Sequence, residues 1–157
     1  MKVLLLMMGK TAEPWLQKGV KQYFDRLTHY LPFEAKVLPD IKNAGKMKPE
    51  ALKQLEGEVI LKNVENSDQL MLLDEGGKLF SSREFSEYME KQMLGGARRL
   101  IFVIGGAWGF SDEVYGRANG KLSLSRMTFS HQMVRLIFAE QLYRAMTILR
   151  NEPYHHD

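Results

Sequence analysis

Val3 to Met8 is an unbroken apolar run, closed at once by Gly9-Lys10. It is too short to span a membrane or to serve as a signal peptide. It also fails to alternate, as a strand with one wet face would. A run of this length and uniformity predicts a strand covered on both faces, the usual state of strands in parallel sheets. Such a sheet needs helical crossovers and a helical layer on each side.

The rest of the chain supplies them. Glu13-Pro14 opens a helix, and Trp15, Leu16, Val20, Tyr23, Phe24 and Leu27 recur at helical spacing to about His29. Phe33 to Leu38 reads as a second strand. Leu52, Leu55, Val59, Ile60 and Val64 mark a helix from Pro49 to about Glu65. Gln69 to Leu73 is a third strand, ended by Asp74-Glu75-Gly76-Gly77, where the paired glycines signal a tight turn. Ser81 or Ser82, with Glu84 in the first turn, caps a helix that stops at Gly95-Gly96. Arg99 to Ile104 is the fourth strand. This order predicts a single α/β domain over residues 1–157, a mainly parallel sheet with helices on both faces. At 157 residues the chain buries a core without staples. It has no cysteine for a disulfide or a thiolate metal site, and with no leader it fits the cytosol.

Ligands of parallel sheets bind beyond the carboxyl ends of the strands. Two of those ends are glycine-rich, Leu73 to Gly77 and Ile104 to Gly109. The second reads Gly105-Gly106-Ala107-Trp108-Gly109, with Ser111-Asp112-Glu113 as the cap and first turn of a short helix. It is neither the Gly-x-Gly-x-x-Gly of dinucleotide sites nor a Walker loop. On its own it is either a tight strand-to-helix turn or a loop that lets a ligand approach the backbone.

Leu122-Ser123-Leu124-Ser125 reads as a short strand, and Met127 to His131 as the entry to a long helix with Thr128 and Ser130 as rival caps. Val134, Phe138, Leu142, Ala145 and Leu149 share one face of that helix, but most other faces are apolar too. A helix apolar nearly all round is buried on more than one side, which predicts packing on its own sheet and on another subunit. Glu140 and Arg144 are spaced to pair, either as a structural ion pair or within a site. The tail, Asn151 to Asp157, is a frayed terminus or something more. Its adjacent His155 and His156 diverge and have no third ligand, so no metal site is expected. The net charge of +3 permits nucleic-acid binding without requiring it. Lys42, Lys46 and Lys48 lie in a polar loop, either a solvated connection or an RNA contact.

Three stretches act as a linked set. They are Leu73-Asp74-x-x-Gly77-Lys78-x-x-Ser81-Ser82-x-x-Phe85, Phe102-Val103-Ile104-Gly105-Gly106-x-x-Gly109, and Leu122-Ser123-Leu124-Ser125-x-Met127-Thr128-Phe129-x-His131. Glu140-Gln141-Leu142-Tyr143-Arg144-Ala145 and Pro153-Tyr154-His155 complete it. Over the whole chain this resembles the bacterial ribosomal RNA large subunit methyltransferase H family, of the SPOUT class. His156 departs from it, where a basic residue is expected.

The resemblance implies methylation of N3 of a pseudouridine in 23S rRNA, with S-adenosyl-L-methionine as donor. It implies a C-terminal trefoil knot with the last helix threaded through an earlier loop, and a two-fold homodimer seamed along that helix. No metal and no membrane partner are implied. The cofactor would be held by Leu73, Gly105, Gly106, Gly109, Leu124, Ser125, Arg126, Met127, Thr128, Phe129 and Ser130. His131 and His155 would accept the N3 proton, Arg144 would stabilise negative charge on the base carbonyls, Glu140 would orient Arg144, and Tyr154 would stack on the base. On this reading the tail is disordered when free and ordered over the substrate. Lys10, Lys42, Lys46, Lys48, Arg98 and Arg99 would meet phosphates. Two alternatives remain: the same fold acting on another RNA such as tRNA, or a non-catalytic ribosome-binding module, which the intact glycines disfavour.

Overall fold

The computed structural model describes residues 1–157. The elements run β1 (Lys2–Met8), α1 (Pro14–Leu27), β2 (Phe33–Leu38), α2 (Pro49–Leu61), β3 (Gln69–Leu79), α3 (Ser82–Leu94), β4 (Arg99–Ile104), α4 (Asp112–Arg117), β5 (Gly120–Ser123) and α5 (Met133–Leu149). One 3₁₀ turn, Ala44–Lys46, precedes α2. All strand pairings are parallel, in the order β2-β1-β4-β3-β5.

The uniform run of β1 is explained by two cores rather than one. Val3, Leu5 and Met7 point into a cluster with Leu27, Phe85, Met89, Phe138 and Leu142, from α1, α3 and α5. Leu4, Leu6 and Met8 point into the opposite cluster with Ile60 of α2 and Val114 of α4. Successive strand residues face opposite sides, so each side of β1 must be apolar. The α/β reading with helices on both faces holds.

Five elements differ from expectation in their boundaries. β3 does not end at Leu73; it continues to Leu79 with a register irregularity between Leu73 and Lys78 where it pairs with β5. Gly76-Gly77 is therefore not a tight turn. Gly77 serves close approach: a Cβ there would lie 2.6 Å from the Lys121 carbonyl carbon of β5. β5 covers Gly120–Ser123 rather than Leu122–Ser125. The last helix starts at Met133, six residues later than the apolar pattern suggests, because residues 124–132 form an irregular segment. Of the two rival caps Ser130 contributes, its hydroxyl accepting from Met133 N at 3.0 Å. α1 and α2 stop at Leu27 and Leu61, each a few residues early. α3 has the full capping box expected of Ser81 and Glu84.

α5 is tied to the sheet by Arg135, which is fully buried. Its guanidinium donates to Gly9 O and Met8 O, both at 2.7 Å, to Thr11 Oγ1 at 3.2 Å and to His131 O at 3.1 Å. One side chain thus closes orphan carbonyls at the end of β1 and fixes the start of α5.

Candidate active site

Beyond the carboxyl ends of β3, β4 and β5 lies a cavity of about 410 Å³. Three chain segments wall it: Leu73–Glu75, Ile104–Phe110, and Leu122 to His131 less Arg126 and Ser130, with Tyr115 from α4 and Val134 from α5. The irregular segment explains what the cavity offers. Residues 124–129 make no backbone–backbone hydrogen bond. Side chains take up two of its groups, Ser123 Oγ donating to Ser125 O at 2.8 Å and Ser125 Oγ accepting from Met127 N at 2.9 Å; amide and carbonyl groups need partners, so the others leave hydrogen-bonding capacity in this wall, between apolar faces of Leu73, Ile104, Leu122 and Leu124.

The glycine loop is shaped from behind. A Cβ on residue 105 would lie 2.9 Å from the Phe110 ring, and one on residue 106 would lie 2.5 Å from Glu56 Oε2. Gly105 and Gly106 therefore turn their bare sides against packed neighbours that leave no room for a side chain. Gly109 N donates to Gly106 O at 3.3 Å, and Gly109 takes a φ of +84°, which favours glycine. Behind this loop Glu56 is buried with Oε1 unpartnered. Burial, then the charge of Asp40, raises its pKa above the usual carboxyl value.

His131 stands at the cavity rim. Partial burial first, then the positive charge of Arg135, lowers its pKa against the opposing pull of Asp40. The neutral imidazole, the proton-accepting form, is favoured. Tyr115 donates to Asp74 across the cavity wall, and its hydroxyl is pushed up to about 12, by burial and then by that bond.

A second polar cluster lies on α5 and the tail. Glu140 Oε1 accepts from Arg144 Nη2 at 2.5 Å and Nε at 3.1 Å, and from the Tyr154 hydroxyl at 2.9 Å. The Arg144 guanidinium lies 4.7 Å from the Tyr154 ring centroid. Arg144 Nη1 is 3.2 Å from His155 Nδ1. A guanidinium only donates, so Nδ1 accepts, and Nε2 donates to Asp157 Oδ1 at 3.0 Å. Asp157 accepts from Arg83 Nε at 2.7 Å, and Tyr154 packs edge-on against Tyr143 at 4.7 Å. Burial first, then bonds to Tyr23 and Glu140, raise the Tyr154 pKa.

A family model described as "Predicted SPOUT methyltransferase" matches residues 1–155. The chain belongs to the SPOUT methyltransferase family. It is 58% identical to the ribosomal RNA large subunit methyltransferase H of Christiangramia forsetii, over 99% of each chain. It is 55% identical to the protein of that name from Parabacteroides distasonis, over 100% of each. A solved probable methylase family protein from Haemophilus influenzae Rd KW20 shares the fold, with a TM-score of 0.51 and 13% identity over 99% of this chain and 70% of that one. Membership makes this chain an enzyme and implies a methyl donor. It also implies the SPOUT trefoil knot, with α5 as the threaded helix.

Within this SPOUT domain the sites expected from sequence divide in two. Leu73, Gly105, Gly106, Gly109, Leu124, Ser125, Met127, Thr128, Phe129 and His131 line the cavity. Arg126 and Ser130 do not; the Ser130 hydroxyl instead accepts from Met133 N at the start of α5. Glu140, Arg144, Tyr154 and His155 are brought together, but away from it: Arg144 is eleven residues beyond Met133, roughly 16 Å along the helix at 1.5 Å per residue. The tail is neither frayed nor free, because Tyr154, His155 and Asp157 all find partners in their own chain. Arg98 and Arg99, expected to meet phosphates, are placed apart from the cavity. They stand at the amino end of β4, the edge opposite the cavity, and Arg99 is held by Asp68 at 2.6 Å. Lys10 and the loop carrying Lys42, Lys46 and Lys48 follow the carboxyl ends of β1 and β2, on the cavity edge. Asp74, Glu75 and Trp108 lie in the two glycine-rich strand ends marked from sequence, but no role was expected of their side chains; Tyr115 and Glu56 were not singled out. No helix is long and apolar enough to cross a membrane. No group of three or more His, Asp or Glu side chains is placed to hold a metal ion.

Proposed function

We propose that this protein methylates N3 of a pseudouridine in 23S rRNA of the large ribosomal subunit, in the cytoplasm, with S-adenosyl-L-methionine as donor and as a two-fold homodimer. The observation that carries the reading is full-length similarity to enzymes named ribosomal RNA large subunit methyltransferase H joined to a cavity of about 410 Å³, one wall of which is a backbone segment that makes no backbone–backbone hydrogen bond. That volume suits a folded nucleoside-sized cofactor. The backbone of residues 124–129 would bond its adenine and ribose edges, and the apolar walls would enclose it. S-adenosyl-L-methionine supplies an electrophilic methyl group on a sulfonium.

The chain's own residues do the rest. A donor held in this cavity would be fixed against a base entering the mouth, which would convert a bimolecular step into an oriented one. N3 of pseudouridine carries a proton and is weakly nucleophilic until it is lost. Neutral His131 at the rim accepts that proton, directly or through water. Arg144, oriented by Glu140, stabilises the negative charge that spreads onto the base carbonyls, and Tyr154 and His155 help hold the base. This second cluster lies too far along α5 to serve its own cavity. In a dimer packed along α5, it serves the cavity of the partner. With a net charge of only +3 per chain, two subunits also share the grip on RNA.

Incubation of the protein with labelled donor and unmodified ribosomes, followed by mass mapping of the nucleotide, tests the proposal. Incorporation at N3 of a 23S pseudouridine is the expected result. Incorporation into tRNA alone would replace the substrate.

A further inference from the structure

Trp108 is left without work by the fold. The residue is 60% exposed, although it borders the cavity. Phe110 and Tyr115, just beyond it, pair with each other at 5.8 Å and leave the indole out. Yet its backbone is held firmly. Ala107 and Trp108 form the tip of a tight turn closed by the Gly109 to Gly106 hydrogen bond, and the turn is backed by Glu56 and Phe110. On the opposite lip Met127 is 77% exposed. Arg126, between the cavity residues Ser125 and Met127, is exposed as well.

A rigidly mounted, unpartnered indole at the entrance of a cavity is poorly placed for stability, since burial is what an aromatic ring contributes to a fold. It is well placed for a flat ligand arriving from outside. We propose that Trp108 is a stacking platform for an unpaired nucleobase of the RNA substrate at the cavity mouth, with Arg126 on the facing lip meeting the adjoining phosphate. This rests on the rRNA methyltransferase reading above, which requires a base to pass this mouth. Aromatic rings are the usual partners of splayed-out bases in single-stranded RNA, and the contact tolerates any base because each has a π-face. A fully paired helix offers no such face.

Steady-state methylation of unmodified ribosomes by Trp108→Ala, Trp108→Leu and Trp108→Phe provides the test, alongside donor affinity by calorimetry and mass by light scattering. The expected result is a KM for ribosomes raised about 10- to 100-fold in the alanine and leucine variants, mostly recovered by phenylalanine, with donor affinity and subunit number unchanged. Loss of donor affinity in step with activity would make the indole a cofactor lid. Dissociation of the dimer would make it a subunit contact. An unchanged KM would make it an idle surface residue. Each of these overturns the proposal.

A second readout does not depend on turnover. The chain has two tryptophans, so Trp15→Phe leaves Trp108 as the sole indole. Its fluorescence should be quenched saturably by a single-stranded oligouridine and not by a duplex of equal length; equal quenching, or none, overturns the platform. If the wild-type chain fails to methylate 23S rRNA, the proposed function fails, and this readout alone decides Trp108.

Discussion

The cavity and the α5–tail cluster solve the same problem by opposite means. The cavity is built of backbone: strand ends, a glycine turn propped by Glu56 and Phe110, and a six-residue run without ladder bonds. The cluster is built of side chains that satisfy one another, with Glu140 accepting from Arg144, Tyr154 and Gln141 and Arg144 touching three neighbours. A backbone wall holds a ligand by shape and cannot easily change its charge. A side-chain network supplies charge, but only where its members are kept in register. The difference suggests a division of labour, donor binding in the first region and treatment of the acceptor base in the second, with the two regions meeting across a dimer.

The largest expected effect tests that meeting. Gly106→Val drives a side chain into Glu56 and should displace the loop, and Arg144→Ala removes the charge of the cluster. Each alone should lower methylation by roughly 100-fold or more. Co-expressed, the two inactive chains should recover activity, approaching about a quarter of wild type, because half of randomly paired two-fold dimers contain one intact composite site. No recovery in labelled-methyl transfer would mean both regions act within one chain.

Deleting Tyr154 to Asp157 sharpens the comparison further. Methylation should fall to background while donor affinity, measured by calorimetry, stays put. Because Tyr154 packs on Tyr143 and Asp157 on Arg83, the melting temperature should also drop by a few degrees. A change in donor affinity would join the two regions.

His131 belongs to the cavity, and its depressed pKa sets a direction. A base works only when neutral, so activity should be lost as pH falls through a value below the ordinary imidazole value of about 6.5. The acid limb of the pH–rate profile should vanish in His131→Gln. A limb that persists assigns the proton to another group.

Glu56 gives the smallest effect. Its folded-state pKa is raised, so the folded chain holds this proton more tightly than the unfolded chain. The stability this confers is complete in acid, below the ordinary carboxyl value, and is lost as pH rises through the folded value. Glu56→Gln should therefore melt higher than wild type near about pH 8, by roughly 2–4 °C for each kcal/mol recovered. The advantage should disappear near about pH 4. A lower melting temperature at both would mean the carboxylate has an ion partner in solution.

The legible part of this molecule is local. Val3 to Met8 and Arg99 to Ile104 could only be doubly covered strands, Ser81 with Glu84 could hardly be other than a capping box, and the position of Gly105 after β4 marked the ligand edge. Residues 124–132 were not legible, because apolar Met127 and Phe129 continue a helical rhythm whose backbone goes elsewhere. Nor was the role of Gly77, since nothing local says that this glycine lets the backbone of β5 pass close by.

The sequence by itself determined the alternation of strands and helices, the apolar character of both sheet faces, and the linked motifs that carry the family. Only the tertiary structure decided that Glu56 backs the glycine loop, that Arg135 ties α5 to β1, and that Arg144, Tyr154 and His155 form a cluster apart from the cavity. The physical reason is range. Periodicity and capping act within a few residues, whereas a buried charge, a close backbone crossing or a shared site joins residues dozens of positions apart, and their meeting is fixed only when the whole chain is packed.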